Sequence, residues 1–466
     1  VYAAGMIWVY RRILGVFDGR PVGWRVALPG SVAVVMLAGF DFLAIRGGTG
    51  ASVANVSKVY FSPTQFLNHA ATNPVFSFLS SLGDRVDYAD EYPFFEEPVR
   101  AAKFDALRGN GPAAGPTEPV LNTARPNVVI VILESFARTV MDAEVGGEPV
   151  MPYMQRLKRE GVWFENFFAN SFRTDRGEVA ILSGFPAQTR MSVMKLPAKS
   201  RSLPSVARSL AGEGYATSFA YGGDLNFTNQ ASYMYATGWQ ELVWQKDLRF
   251  DAPAADWGYD DALMCDWFAD RVIALSDAGK PFLAGLLTLS SHTPFDVPYS
   301  KFDDKVLNAM AFSDECVGKM IDRLKASPAW KDLLVVLVAD HGYPYPRTLT
   351  YNEPLRHRIP MIWTGGAVAE PRVVEDYAAQ IDIAATLLAQ LGIAHDDFDY
   401  SKDIFAPTPP RKFAYYTFND GFGVVDASGE AVWDATGDRV VTATNPELLD
   451  VGRTMLQTTY VDIGNR

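Results

Sequence analysis

Across its central portion the chain carries apolar residues in unbroken runs rather than in alternation with polar ones. "NVVIVILES", "PFLAGLLTLS" and "WKDLLVVLVADHG" are such runs, and "IPMIWTGG" is a shorter one. Continuous β-branched and aliphatic segments bounded by polar residues predict strands buried on both faces, as in a parallel sheet. Between the runs, "MPYMQRLKREG", "SLPSVARSLAGEG", "AFSDECVGKMIDRLKAS" and "AAQIDIAATLLAQLG" repeat their apolar positions at helical spacing. This alternation predicts an α/β domain over residues 125–410, doubly wound around a mostly parallel sheet. Downstream, "KFAYYTFNDGFGVVDASGEAVWDATGDRVVTAT" is rich in aromatics, Val and Gly turns, so residues 411–466 are expected to add antiparallel strands at the domain's edge.

A different pattern governs the N-terminus. "VALPGSVAVVMLAGFDFLAI", residues 26–45, contains a single acid, Asp41, and has the length of a membrane-spanning helix; a buried soluble helix would share that composition. Arg11, Arg12, Arg20 and Arg25 precede it, whereas after Arg46 no basic residue occurs until Lys58. Positive loops stay cytoplasmic, which predicts a cell-membrane protein whose remainder lies outside the cytoplasm. "VYAAGMIWVY" reads as the tail of an earlier membrane helix, so residues 1–46 are expected to be the transmembrane region of a multi-pass protein that begins upstream of this chain. Residues 47–124 mix helical pieces ("SPTQFLNHAATNPVFSFLSSL") with the Gly/Pro/Ala-rich "RGNGPAAGPTEP", as expected of a juxtamembrane helical connector and a linker.

Composition narrows the partners. The formal net charge is -12 and no dense Lys/Arg run occurs, which argues against a nucleic-acid partner. The two cysteines, Cys265 and Cys316, form no metal-type CxxC pair. One disulfide or two buried thiols would fit, and the helix-like contexts "ALMCDWFAD" and "FSDECVGKMIDRL" favour buried thiols.

The candidate chemistry sits where strands end. Ligands of parallel α/β sheets gather at the carboxyl ends of strands, and here those ends carry Glu134, His292, and the adjacent Asp340 and His341. Each has a plainer reading, a helix-capping acid or a structural histidine. Adjacent residues on an extended strand point apart, so Asp340 and His341 can face one point only if the chain already turns at Gly342. Two carboxylates, an imidazole and a hydroxyl suit a divalent cation such as Mn²⁺, Mg²⁺ or Zn²⁺. The hydroxyl is expected from "SFRTDRGEVAILSG", residues 171–184, which otherwise reads as a solvated turn before a helix. A threonine alcohol is a weak nucleophile that coordination to a cation can activate. If Thr174 begins a helix near such an ion, the helix N-terminus with Arg173 or Arg176 can hold an anion; either arginine could equally lie on the helix face. His357, just before "IPMIW", is read as a substrate-side or supporting residue, or as structural.

"NVVIVILESFA", "RTDRGEVAILSG", "YGGDLNFTN", "LSSHTPFDVP" and "VADHG", in that order, resemble the alkaline-phosphatase/sulfatase superfamily. The nearest likeness is to its lipoteichoic acid synthase branch of membrane-anchored phosphoglycerol transferases. The resemblance covers roughly residues 125–420 and implies an alkaline-phosphatase-like fold. It implies one metal ion held by Glu134, Thr174, Asp340 and His341, with Thr174 forming a covalent phospho-adduct. It also implies Asp224 and His292 near the substrate head group, with His292 the candidate proton donor. Where the branch carries a Trp-Asn-Arg run, this chain has Thr228, Asn229 and Gln230, so Asn229 is kept while the basic residue is lost; Gly222 stands where a histidine is typical. The implied partners are a membrane phospholipid donor and a glycan or polymer acceptor. A phosphodiesterase using water, or a binding protein without turnover, are the alternatives. A sulfatase needs Cys or Ser in a C/S-x-P-x-R context, and "TDRGE" lacks it.

Overall fold

In the computed structural model the chain divides into two compact units, Val1–Ala54 and Asn55–Arg466. The structure describes residues 2–16, 23–50, 52–81, 87–108, 116–345, 348–407 and 411–466. The first unit holds a helix of 15 residues, Tyr2–Val16, and one of 23, Trp24–Arg46. None of the residues of Trp24–Arg46 is buried. It is the one helix among the described residues long and apolar enough to cross a membrane. Arg20, counted above in its basic flank, lies outside the described residues.

Among its described residues the second unit has fourteen strands: β1 (Asn127–Leu133), β2 (Glu144–Val145), β3 (Glu148–Pro149), β4 (Val162–Phe168), β5 (Ala216–Tyr221), β6 (Glu241–Trp244), β7 (Phe282–Leu287), β8 (Leu333–Ala339), β9 (Met361–Thr364), β10 (Arg372–Ala379), β11 (Phe413–Phe418), β12 (Gly421–Asp426), β13 (Gly429–Asp434) and β14 (Arg439–Ala443). Eight form the central sheet in the order β10-β4-β9-β8-β1-β7-β5-β6. Every neighbouring pair is parallel except those made by β9, which runs against both β4 and β8. The central β1, β7 and β8 are buried along almost their whole length, as their unbroken apolar runs require. Helices Asp261–Asp277 and Lys305–Lys325 cover the sheet and bury Cys265 and Cys316 as free thiols.

Strands β11–β14 form a separate antiparallel sheet of four. The chain does not end as strand: Glu447–Asn465 is a helix of 19 residues. It packs against the connector helix Glu97–Leu107, where Arg100 donates to Thr458 Oγ1 (2.8 Å) and Lys103 pairs with Asp450 (2.8 Å). Earlier in the connector lie a 3₁₀ turn, Val56–Val59, and two short helices, Gln65–Ala71 and Pro74–Ser81. The middle of the Gly/Pro/Ala-rich linker, residues 109–115, lies outside the described residues.

Candidate active site

The pairing of β1 with β8 sets the site. Their parallel register places Leu133 beside Ala339, so the next residues, Glu134 and Asp340, emerge side by side at the carboxyl edge. Both backbones then turn. Ser135 adopts a left-handed φ of 58°, donating its N–H to Asp340 Oδ1 (2.7 Å) and its hydroxyl to Glu134 Oε1 (2.6 Å). The N–H of His341 donates to the same Asp340 oxygen (2.7 Å), and this turn swings the imidazole back towards the acids. His341 Nε2 lies 3.5 Å from Asp340 Oδ2 and 3.7 Å from Glu134 Oε1. From the end of β7, Thr288 Oγ1 accepts the N–H of Glu134 (2.8 Å) and Ser291 donates to its carbonyl (2.5 Å).

Thr174 reaches this edge as the first residue of the helix Thr174–Ser183, preceded by Arg173 in extended conformation. The helix lies hard against the end of β8 because position 177 is glycine: a Cβ there would stand 2.1 Å from the carbonyl oxygen of Asp340. At that distance no side chain fits. The Thr174 hydroxyl consequently donates to Glu134 Oε2 (3.2 Å).

This cluster fits a cation. Glu134, Asp340 and His341 each offer a ligand atom, all within 4.8 Å of one another. Asp340 Oδ2 is buried and without a hydrogen-bond partner among the described residues, a costly state that a bound cation relieves. Burial, reinforced by the charge of Asp340, pushes the Glu134 carboxyl up to about 7, and burial pushes Asp340 up to about 6. Burial also holds His341 below the usual imidazole range, favouring the neutral form that can ligate. One turn along the helix from Thr174, the fully buried Glu178 is pushed well above the carboxylate range by burial and by the charges of Asp340 and Asp175.

A cavity of about 160 Å³ opens over the cluster, lined by Glu134, Arg173, Thr174, Asp175 and His341 and by Tyr221, Phe227, Thr228, Gln230, Trp257 and His292. The Nδ1 of His292 lies 2.7 Å from the carbonyl of Thr293 and so carries the hydrogen, leaving Nε2 for proton exchange. The remaining sequence candidates lie off this cavity. Arg176, two residues beyond Thr174 and so on the opposite side of the helix, is buried over the Phe172 ring and donates to Ser171 Oγ (3.3 Å). Asn229 reaches the carbonyl of Lys195 (3.4 Å), and Asp224 accepts from the N–H (2.9 Å) and side-chain amide (2.8 Å) of Asn226. His357 is buried against the Tyr416 ring, 4.0 Å between centroids, with Nε2 2.8 Å from the carbonyl of Tyr351. Its neighbour Arg356 carries the positive charge felt by His341. Trp257, Gln230 and Arg356 are cavity or near-site residues that no strand-end rule points to.

Comparison with known proteins identifies the family and the fold. The family profile described as "Sulfatase" matches residues 126–393, more than half of the chain. The chain belongs to the sulfatase family. Among sulfatase-family relatives, phosphoglycerol transferase I of Xanthomonas axonopodis pv. citri (strain 306) is 26% identical over 315 residues, 61% of this chain and 43% of that protein. Lipoteichoic acid synthase 2 of Bacillus subtilis (strain 168) is 24% identical over 307 residues, 58% of this chain and 46% of that protein. The chain thus spans less than half the length of these curated relatives. The crystal structure of the lipoteichoic acid synthase LtaP from Listeria monocytogenes superposes with a TM-score of 0.66 at 20% identity, covering 78% of this chain and 98% of that one. This likeness shows that the sulfatase-family chain has the alkaline-phosphatase-like fold.

Proposed function

We propose that this sulfatase-family chain is the catalytic part of a membrane-anchored, metal-dependent transferase. It moves a phospholipid head group, phosphoglycerol or a similar group such as phosphoethanolamine, to a glycan or polymer acceptor. The observation that carries this reading is the Thr174 hydroxyl at the start of a helix, 3.2 Å from a carboxylate of the Glu134–Asp340–His341 cluster. One divalent cation, Mn²⁺ in first place and Mg²⁺ or Zn²⁺ after it, would be held by Glu134, Thr174, Asp340 and His341 and would supply the Lewis acidity that makes the alcohol reactive. Thr174, its proton lost to water, attacks the phosphorus as the alkoxide, the bond to diacylglycerol breaks, and His292, protonated at Nε2, delivers that proton to the departing alkoxide. An acceptor hydroxyl then attacks the phospho-threonine, and Thr174 is restored.

Arg173, exposed at the cavity wall, is the cation assigned to the phosphate. Asp224, Asn229, Arg176 and His357 are assigned to holding the walls through the contacts described above. The names of the relatives support head-group transfer. A membrane donor is supported by the apolar helix Trp24–Arg46, with Arg11 and Arg12 before it and Arg25 in its first turn, and the same charges support a catalytic unit outside the cytoplasm. The connector supports it too, because Phe61, Phe66, Val75, Phe78 and Leu79 are exposed there. That connector is joined to the cavity's own loop: Asn55 donates to the carbonyl of Asn226 (2.7 Å) and Ser57 accepts from the N–H of Ser232 (2.8 Å).

The decisive experiment is a mass spectrum of the protein after incubation with phosphatidylglycerol vesicles and Mn²⁺. The transferred group should appear as added mass on the peptide containing Thr174 and be absent from Thr174→Ala. Head-group release that persists in Thr174→Ala would end this reading.

A further inference from the structure

A second cavity, of about 280 Å³, adjoins the catalytic one, and His292 and Trp257 line both. These two rings, 4.6 Å apart between centroids, form the shared wall. The new cavity is a built feature rather than a gap between loose loops. Ala255 and Gly258 bond reciprocally through their backbones (2.9 and 3.1 Å), closing a tight turn around Trp257. That turn is fixed to the end of β5, where Tyr259 N–H donates to the carbonyl of Gly222 (3.0 Å). Gly258 adopts φ +139°, and a Cβ there would stand 2.1 Å from the same carbonyl, so the turn closes only with glycine. The floor is held by the fully buried Asp261, whose carboxylate accepts from the N–H groups of Leu289 (2.7 Å) and Ser290 (3.1 Å).

The two cavities differ in charge. The catalytic one sets Arg173 beside Glu134 and Asp175 on its wall, whereas the second is lined by Asp256, Asp260 and Asp296 and, among the described residues, by no lysine or arginine. Asp296 is paired with Lys305 (2.9 Å) and Asp260 caps the helix Asp261–Asp277 through Leu263 N–H (3.0 Å), while Asp256 is exposed at the mouth. Carboxylates repel a phosphate and accept hydrogen bonds from hydroxyl groups. The faces of Trp257, Tyr259 and Pro294 offer apolar planes of the kind that the C–H face of a sugar ring covers. A long acyl chain laid in the cavity would take the exposed Asp256 carboxylate out of water, which counts against the lipid part of a donor.

We infer that the second cavity is the acceptor subsite and takes a neutral, polyhydroxylated sugar unit of a glycan, whose hydroxyl meets His292 across the shared wall. The inference rests on the transferase reading above and names its acceptor. In the acceptor step the bond from the sugar oxygen to phosphorus forms and the bond from phosphorus to Thr174 Oγ breaks. The hydroxyl proton passes to His292 Nε2, replacing the one given to diacylglycerol in the first step, and Thr174 departs as the alkoxide with which the cycle began.

The test uses the full chain and two readouts. In calorimetric titration without donor, cellotetraose should bind saturably and glucose 6-phosphate should not. Asp256→Lys should weaken cellotetraose binding about tenfold, the scale of a lost charge-assisted hydrogen bond, and Ala255→Trp, which fills the mouth, should abolish it. With phosphatidylglycerol vesicles as donor, both variants should shift the released head group from cellotetraose towards water. Absence of saturable binding, equal binding by both variants, or equal affinity for the phosphorylated sugar would overturn the inference. Wild-type protein that binds cellotetraose but moves no head group would leave the subsite standing and remove the transferase reading instead.

Discussion

The strand ends and the connector treat polarity in opposite ways. At the carboxyl edge of β1 and β8 the protein buries charge: Asp340 is fully buried and Glu134 nearly so. Between residues 57 and 79 it buries polar Ser57 and Asn68 while leaving Phe66 78% and Phe78 63% exposed. Neither arrangement is stable in water on its own account. Buried carboxylates call for a compensating cation, and a cluster of exposed aromatics calls for an apolar surface to rest on. The contrast teaches that the two regions have needs that differ in kind, which a cation and an apolar surface would meet under the function proposed above.

The sharpest way to break the comparison is at the nucleophile. Thr174→Ala should lower head-group release by about a thousandfold or more while circular dichroism stays native; a loss of less than tenfold would mean that the cluster does not act through Thr174. Next in size, His292→Ala should cost about a hundredfold in transfer and remove one limb of the pH–rate profile, which separates proton exchange from mere packing.

Smaller effects sharpen the contrast. The joint substitution Phe66→Asp and Phe78→Asp should reduce turnover of vesicle-bound donor about tenfold, as lost apolar burial implies, and leave a short-chain soluble donor unaffected. Equal losses on both donors would point to damage within the fold rather than at a membrane contact. Thermal melting should show the least change but with a definite sign. Glu134 is raised from 4.5 to about 7 and Asp340 from 3.8 to about 6, so the native metal-free protein holds more protons than the unfolded chain in that window. The stability these two groups contribute is therefore fully present below about pH 4 and is lost as pH rises towards 7. Added Mn²⁺ should raise the melting temperature, and the gain should grow across the same window as the ligands lose protons. A gain independent of pH would place the cation elsewhere.

How much of this was legible in the sequence depended on whether one neighbour or many set a residue's surroundings. β1, β7 and β8 declare themselves because burial on both faces leaves no room for polar residues. β4, "VWFENFF", is less plain: Glu165 and Asn166 are only half-buried and break the run. The edge-side β10, "RVVEDYAA", carries three charges and a register shift. The final helix falls inside residues 411–466, expected to be strands on the aromatic, Val and Gly-turn pattern of residues 412–444, a pattern that stops short of it; packing decides there, with Gly452 set against the Phe422 ring. In the site, Glu134 and Asp340 are readable because both end neighbouring strands, and His341 because a turn at the strand end must bring its ring back beside them. Trp257, by contrast, sits in a polar turn whose position follows from contacts with β5, and nothing local announces it. Arg176 looked equivalent to Arg173 in the written motif, yet helical rotation turns it into the core.

The contact between Gly177 and the Asp340 carbonyl has a consequence for how such chains diverge. A single added methyl group at that position must drive the helix off the sheet edge, carrying the alcohol away from the acids while every ligand-type residue stays in place. A descendant with alanine there would still display the whole signature to anyone reading its letters, yet the two halves of its reaction centre would no longer meet.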